Sequence, residues 1–220
     1  MAWPIIKGTA VLKALNDEDE GKALLYAAEI LKKGGLVAFP TETVYGLGGD
    51  ALNPDTVQNI YKVKQRPPDN PLIIHVAGMD QAARLVEEVP PEAFLLAENF
   101  WPGPLTMVLP KKNLVPDITT AGLSSAAIRV PAHPLARKLI RAAEIPLAAP
   151  SANLSGRPSP TTAEHVLDDL AGRIEAVLDG GSCSVGVEST VISLLSGTPA
   201  LLRPGGITLE MLEDVLKQEV

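Results

Sequence analysis

The sequence predicts a single α/β domain built on a mixed β-sheet flanked by helices. Three observations lead there. Apolar residues at helical spacing alternate along the chain with short, continuous apolar runs. The runs are bounded by Gly, Pro, Asn and Asp, as strand ends are. The last strands follow one another with little helix between them, so some neighbours must run antiparallel.

A length of 220 residues suits one large domain. The expected boundaries are residues 1–220, with the motif-bearing core at about 20–207. At 46% hydrophobic, 20% charged and 4% aromatic, the composition is that of a globular protein with an aliphatic core.

The first helix is expected after Asn16 and Asp17, with Leu24, Ala27, Ala28 and Leu31 on one face. Lys32 and Lys33 suit its negative end, and Gly34 supplies a left-handed stop. Residues 36–39 read as a buried strand. A second helix opens at Asn53-Pro54, cap followed by proline, and buries Val57, Ile60 and Tyr61. Strand 72–76, helices near 81–88 and 92–99, and strands 105–109 and 126–130 follow.

His133-Pro134 starts a helix with Leu135, Leu139 and Ala142 inward, and 147–149 is a strand. Thr161 and Glu164 form a capping-box pattern for a helix to Leu170. Strands at 175–178, 190–194 and 200–202 precede a last helix from about Thr208.

The single cysteine, Cys183, has no internal disulfide partner; it fits a reducing compartment and reads as a small loop residue. The start, MAWPIIKGTAV, lacks the pattern of a secretory signal, and no apolar stretch approaches the ~20 residues of a membrane helix. A soluble, cytoplasmic protein without a membrane partner is expected. A net charge of -7 excludes a broadly basic nucleic-acid binder, so any anion site must be a local concavity.

The chemistry is concentrated in segments at strand ends, where ligands collect in open α/β sheets. PTETVYGLGGDA, residues 40–51, reads as a ligand-binding loop in which hydroxyls meet carboxylate or phosphate and glycines admit close approach. Gly46, Gly48 and Ala51 match a dinucleotide fingerprint, but TETVY separates them from the strand and the next strand ends in His75, not an acid; that reading is rejected. A phosphate loop ending in Gly-Lys-Ser/Thr is absent.

In KVKQRPPDNPLIIHV, Lys64, Arg66, Asn70 and His75 read as an anion site rather than a solvated helix end. Arg129 interrupts an apolar strand in SSAAIRVP and needs a carboxylate partner, structural or substrate. APSANLSGRPSPTT, residues 149–162, places Ser151, Asn153, Ser155 and Ser159 behind a strand. GGSCSVGVESTVISL delivers Glu188, Ser189 and Thr190 to a strand start, and Arg203 ends the strand of LLRPGG. Lys64, Arg66, Arg129 and Arg203 together suit a strongly anionic ligand such as a triphosphate with carboxylates. Paired catalytic carboxylates, a Ser-His-Asp arrangement and zinc-ligand spacing are not evident. His133 reads as a helix cap and His165 as a surface residue.

In this order, FPTETVYGLGGDA, KQRPPDNPLIIHV, WPGPLTMVL, AAIRVPAHP, APSANLSGRPSPTT, GVESTV and LLRPGG resemble the YrdC-like threonylcarbamoyl-AMP synthases. The resemblance runs from about Gly34 to Gly206 and, as the sequence stops soon after LLRPGG, is to the short, single-domain form. It implies a twisted sheet with a concave, positively charged active-site face. The implied activity is that of a nucleotidyltransferase condensing L-threonine, bicarbonate and ATP into threonylcarbamoyl-AMP and pyrophosphate. A partner transferase complex would then modify tRNA.

By position, Thr43, His75, Arg129, Ala149 and Ser189 resemble the family's threonine-side contacts. Arg66, Asn70, Ser125, Ser151, Ser159 and Arg203 resemble its nucleotide-side contacts, and Thr41, Lys64 and Asn153 would support either side. No residue is assigned as catalytic beyond Lys64 and Arg66 as charge stabilisers. Mg²⁺ is expected with ATP, held by substrate oxygens and water and not by a protein metal site. Two other readings stay open: a module binding double-stranded RNA or tRNA, and another carbamoyl-adenylate-forming enzyme such as the related domain of hydrogenase-maturation carbamoyltransferases.

Overall fold

The computed structural model describes residues 3–14 and 17–220. The helix start expected at Asn16 lies outside them. The elements are β1 (Ile5–Ile6), β2 (Thr9–Lys13), α1 (Asp17–Lys32), β3 (Val37–Pro40), β4 (Tyr45–Asp50), α2 (Pro54–Lys64), β5 (Ile73–His75), α3 (Met79–Leu85) and α4 (Pro91–Phe100). They continue with β6 (Leu105–Pro110), β7 (Ser125–Arg129), α5 (Pro134–Ala143), β8 (Leu147–Ala148), α6 (Ala163–Leu170), β9 (Ala176–Asp179), β10 (Thr190–Ser193), β11 (Ala200–Arg203) and α7 (Leu209–Leu216).

Local chemistry sets the helix ends. Gly34, at φ +81°, returns its N–H to Leu31 and stops α1 where an L-residue would be strained. Asn53 accepts the N–H groups of Asp55 and Thr56 at 3.0 and 3.3 Å, capping α2. His133 caps α5 through Nδ1, which accepts from the Leu135 N–H. The cap of α6 is Thr162, not Thr161. The Thr161 carbonyl accepts the Cys183 N–H at 2.9 Å, which holds Thr161 in a loop pairing and delays the helix by one residue.

The strands form one open, mixed sheet in the order β1-β2-β9-β3-β4-β8-β5-β7-β6-β10-β11. Antiparallel pairs such as β3-β4, β6-β7 and β10-β11 are combined with parallel ones, β2-β9, β3-β9, β5-β7 and β6-β10. Two differences from the sequence reading stand out. The short hairpin of β1 and β2 was not expected, although Thr9 to Leu12 is buried against β9. More importantly, most of residues 40–51 is not a loop: Tyr45–Asp50 is a buried strand paired with β3.

Two of the glycines of β4, Gly48 and Gly49, answer to packing. A Cβ on Gly48 would stand 2.7 Å from Phe39 Cε1, and one on Gly49 2.6 Å from Thr56 Cγ2. Side chains there would displace an aromatic core residue and α2.

Two cores fill the two faces of the sheet. The larger packs α2, α3, α4, α6 and α7 against Ile74, Met107, Ala126, Ile128 and Ile192. The smaller packs α1 and α5 against Leu12, Val37, Phe39, Leu147 and Leu178. Each buried Leu or Ile side chain contributes roughly 1.5–3 kcal/mol. Helices α1 and α5 cover the β2-β9-β3 side of their face as far as Leu147 on β8, and residues of β5 and β7 line a cavity. No helix among the described residues is long and apolar enough to cross a membrane.

Candidate functional site

Period-two alternation along the central strands separates core from cavity. On β7, Ala126 and Ile128 point into the larger core, while Ser125, Ala127 and Arg129 line a cavity of about 410 Å³. On β5, Ile74 faces the core and Ile73 and His75 face the cavity. Register aligns the polar residues: His75 pairs with Arg129, and Arg129 with Thr106.

Of the residues expected at the site, Thr41, Thr43, Arg66, Asn70, His75, Ser125, Arg129, Ala149, Ser151, Ser189 and Arg203 line this one cavity. Lys64, Asn153 and Ser159 stand outside its lining.

Arg129 is 4% exposed, and its partner is structural: Nη2 donates to Glu42 Oε1 at 2.6 Å. Nη1 donates to Thr43 Oγ1 at 3.0 Å and Nε to the Gly103 carbonyl at 3.2 Å. The Thr43 hydroxyl also meets that of Thr41 at 2.8 Å, within the turn joining β3 to β4. His75 is 3% exposed, edge-on to Phe39, and its Nδ1 has no hydrogen-bond partner among the described residues. Burial, with the Arg129 guanidinium beside it, pushes His75 down to about 3, the Ile73 carbonyl opposing. A shift in that direction favours the uncharged imidazole.

Arg203, which also lines the cavity, clamps Ser189. Its Nε and Nη2 donate to the Ser189 carbonyl at 3.0 and 2.7 Å, and Nη2 reaches Ser189 Oγ at 3.0 Å. Ser189 Oγ also meets Thr106 Oγ1 at 2.8 Å, fixing it from both sides. Arg66 Nη2 donates to the carbonyls of Asn70 and Pro71 at 3.3 and 3.4 Å, while its buried Nε has no partner among the described residues. Ser159 Oγ donates to Glu188 Oε1 at 2.5 Å, which holds the Glu188 carboxyl below the usual carboxylate range against the opposing effect of burial, with the backbone and Arg203 also lowering it.

Lys64 corrects the expectation of a fourth cation facing a ligand. It is 2% exposed, and its ammonium donates to the carbonyls of Ser151 and Asn153 and to Asn153 Oδ1. Those acceptors match the three N–H groups of the charged form. Burial lowers Lys64 to about 7, Arg66 adding to the effect and Asp169 opposing it. Asn153 in turn donates to the Leu154 and Arg157 carbonyls, and Ser151 Oγ donates to Asn153 Oδ1 at 2.6 Å. Lys64 is thus the strut behind the segment that carries Ser151, not a wall of the cavity.

Sequence reasoning passed over Glu42 and Thr106, and it named Glu188 without giving it a role. Glu42 sits inside TETVYG, where hydroxyls and glycines drew attention away from its carboxylate. Arg129's need for a partner was the signal that could have found it. Glu188 is the one carboxylate lining the cavity among the described residues, beside Arg66, Arg129 and Arg203. Those residues contain no group of three His, Cys, Asp or Glu able to hold a metal. Cys183 is half-buried and its thiol is pushed up to about 11, chiefly by burial.

An open mixed sheet whose cavity is lined by three arginines, several hydroxyls and a buried histidine marks an α/β protein with donors that could meet an oxyanion. The chain belongs to the Sua5/YciO/YrdC family, whose model, described as telomere recombination, matches residues 29–205. It is 56% identical over 190 residues to a threonylcarbamoyl-AMP synthase of Pyrococcus abyssi, covering 86% of this chain and 56% of that protein. The chain therefore spans little more than half the length of that relative.

The crystal structure of P. abyssi Sua5 complexed with L-threonine matches with a TM-score of 0.92 at 52% identity, over 94% of this chain and 61% of that one. Escherichia coli YciO shares the fold, with a TM-score of 0.83 at 24% identity over 93% of this chain and 99% of that one.

Proposed function

We propose that this protein is an L-threonylcarbamoyladenylate synthase, using L-threonine, bicarbonate and ATP. The observation that carries the reading is the convergence of Arg129, His75, Thr43 and Ser189 with Arg66 and Arg203 in one cavity. A carboxylate-and-amine substrate suits the Arg129 end, and a triphosphate suits the Arg66 and Arg203 end. The P. abyssi protein crystallised with L-threonine supports the first assignment.

In this reading the threonine amine adds to carbon dioxide derived from bicarbonate and loses a proton, forming a carbamate. A carbamate oxygen attacks the α-phosphorus of ATP, a P–O bond forms, and pyrophosphate leaves. The protein's part is positioning and charge neutralisation, without a covalent nucleophile. Magnesium arrives as part of the nucleotide substrate, since it favours phosphate oxygens and water with few protein ligands. The product would pass to a transferase that modifies tRNA, which implies work in the cytoplasm.

The test is pyrophosphate release from ATP, with threonine and bicarbonate omitted in turn. Release requiring both, with a threonine-bearing AMP adduct by mass spectrometry, is the expected result. Release independent of threonine, or salt-sensitive RNA binding without ATP turnover, would overturn it.

A further inference from the structure

Glu42 does not line the cavity, yet it touches three of the segments around Arg129. Its Oε1 accepts from Arg129 Nη2 at 2.6 Å. Its Oε2 accepts the Ala132 N–H at 3.0 Å, in the connection from β7 to α5. Its backbone carbonyl accepts the Val185 N–H at 2.9 Å and the Ser184 hydroxyl at 3.4 Å, in the loop that leads to Ser189. The β3–β4 turn, the β7–α5 connection and the 180s loop are thus joined through one residue.

The consequence falls on the Arg129 fork. A guanidinium has five N–H donors. Glu42, Thr43 and Gly103 take one each and fix the plane of the group, leaving one N–H on each terminal nitrogen. A carboxylate ligand is bound best by two parallel N–H groups held in advance. We propose that Glu42 is a positioning residue, acting through Arg129 to pre-set its remaining donors for a substrate carboxylate. This rests on the synthase reading for the identity of that carboxylate, not for the geometry.

Glu42→Gln is the informative substitution. A carboxylate accepts on both oxygens, whereas an amide accepts on one side and donates on the other. Glutamine has no charge to hold the guanidinium, and in either orientation its NH₂ faces one of the two donors, Arg129 Nη2 or the Ala132 N–H, so the two-sided hold on the Arg129 plane is lost. The experiment measures threonine and ATP affinity by calorimetry, together with the Nε–H resonance of Arg129 in protein labelled with ¹⁵N-arginine.

Glu42→Gln should weaken threonine about ten- to a hundredfold, the scale of a charged hydrogen bond. ATP affinity should stay within about twofold, and the Arg129 resonance should broaden or exchange faster. In an Arg129→Met background, adding Glu42→Gln should cost no further affinity. That neutral pair also escapes the penalty of an unpaired buried charge, so it tests the idea should the single variant fail to fold.

Threonine affinity within about twofold of wild type in Glu42→Gln, with an unchanged Arg129 resonance, would overturn the proposal, as would a further loss in the Arg129→Met background. If the wild-type protein itself binds no threonine, the synthase reading fails. The role of Glu42 is then decided by the Arg129 resonance alone: loss of its protection supports the role and retention ends it.

Discussion

The Ser159 hydroxyl donates to the Glu188 carboxylate at 2.5 Å, tying the segment behind β8 to the one that enters β10. Glu188 lines the same cavity as Arg66 and Arg203. A ligand phosphate arriving there meets a negative charge, held in place from behind by a serine that does not itself line the cavity.

Glu188→Gln keeps an acceptor for Ser159 and removes the charge. ATP affinity should rise about two- to fivefold, the scale of a solvent-screened charge pair. Calorimetric titration with ATP measures it; weaker binding would instead make Glu188 a ligand contact.

Arg203→Ala should weaken ATP by about 1.5–3 kcal/mol if the guanidinium meets the triphosphate. Arg203 also clamps the Ser189 carbonyl and hydroxyl, so threonine affinity should fall in the same variant. Paired titrations with the two ligands check this, and intact ATP affinity in a folded variant would refute the contact.

His75 gives a pH signature. Its folded value of about 3 lies below the ordinary value of 6.5, so between those limits the unfolded chain binds a proton that the folded protein does not. Its contribution to stability is present above pH 6.5 and is lost as pH falls toward 3. Denaturant unfolding of wild type and His75→Asn across that window should show a shallower acid slope in the variant. Parallel slopes would mean that the histidine titrates normally.

Lys64→Met should destabilise the fold by about 2–3 kcal/mol, because buried acceptors on Ser151 and Asn153 lose their donor. Lys64→Arg should not restore it, since a planar fork cannot direct its donors to acceptors grouped around one nitrogen. Urea denaturation of the variants reads this directly.

Much of the fold and site was legible where a single residue type has few alternatives. Asn53-Pro54 and His133-Pro134 marked helix starts, and a lone Arg129 in an apolar strand marked a pairing. Legibility failed where one residue type serves two physical ends. Gly48 and Gly49 of β4 look like part of a ligand loop but make room for Phe39 and Thr56, whereas Gly46 does line the cavity. Lys64 looks like a cation awaiting an anion, but backbone carbonyls more than eighty residues away take its N–H groups. The shift of the α6 cap from Thr161 to Thr162 depends on the Cys183 N–H, which no local pattern records.

The place of β9 in the sheet has a consequence for synthesis. This strand lies between β2 and β3, pairing Ala176 with both Ala10 and Val37. Until the ribosome has released residues near 180, the first strands lack the neighbour that joins them, and the apolar faces of α1 and α5 lack part of their seat. Such distant pairing slows folding and leaves sticky edges exposed. The nascent amino-terminal third should therefore depend on a holding chaperone until its late strand arrives.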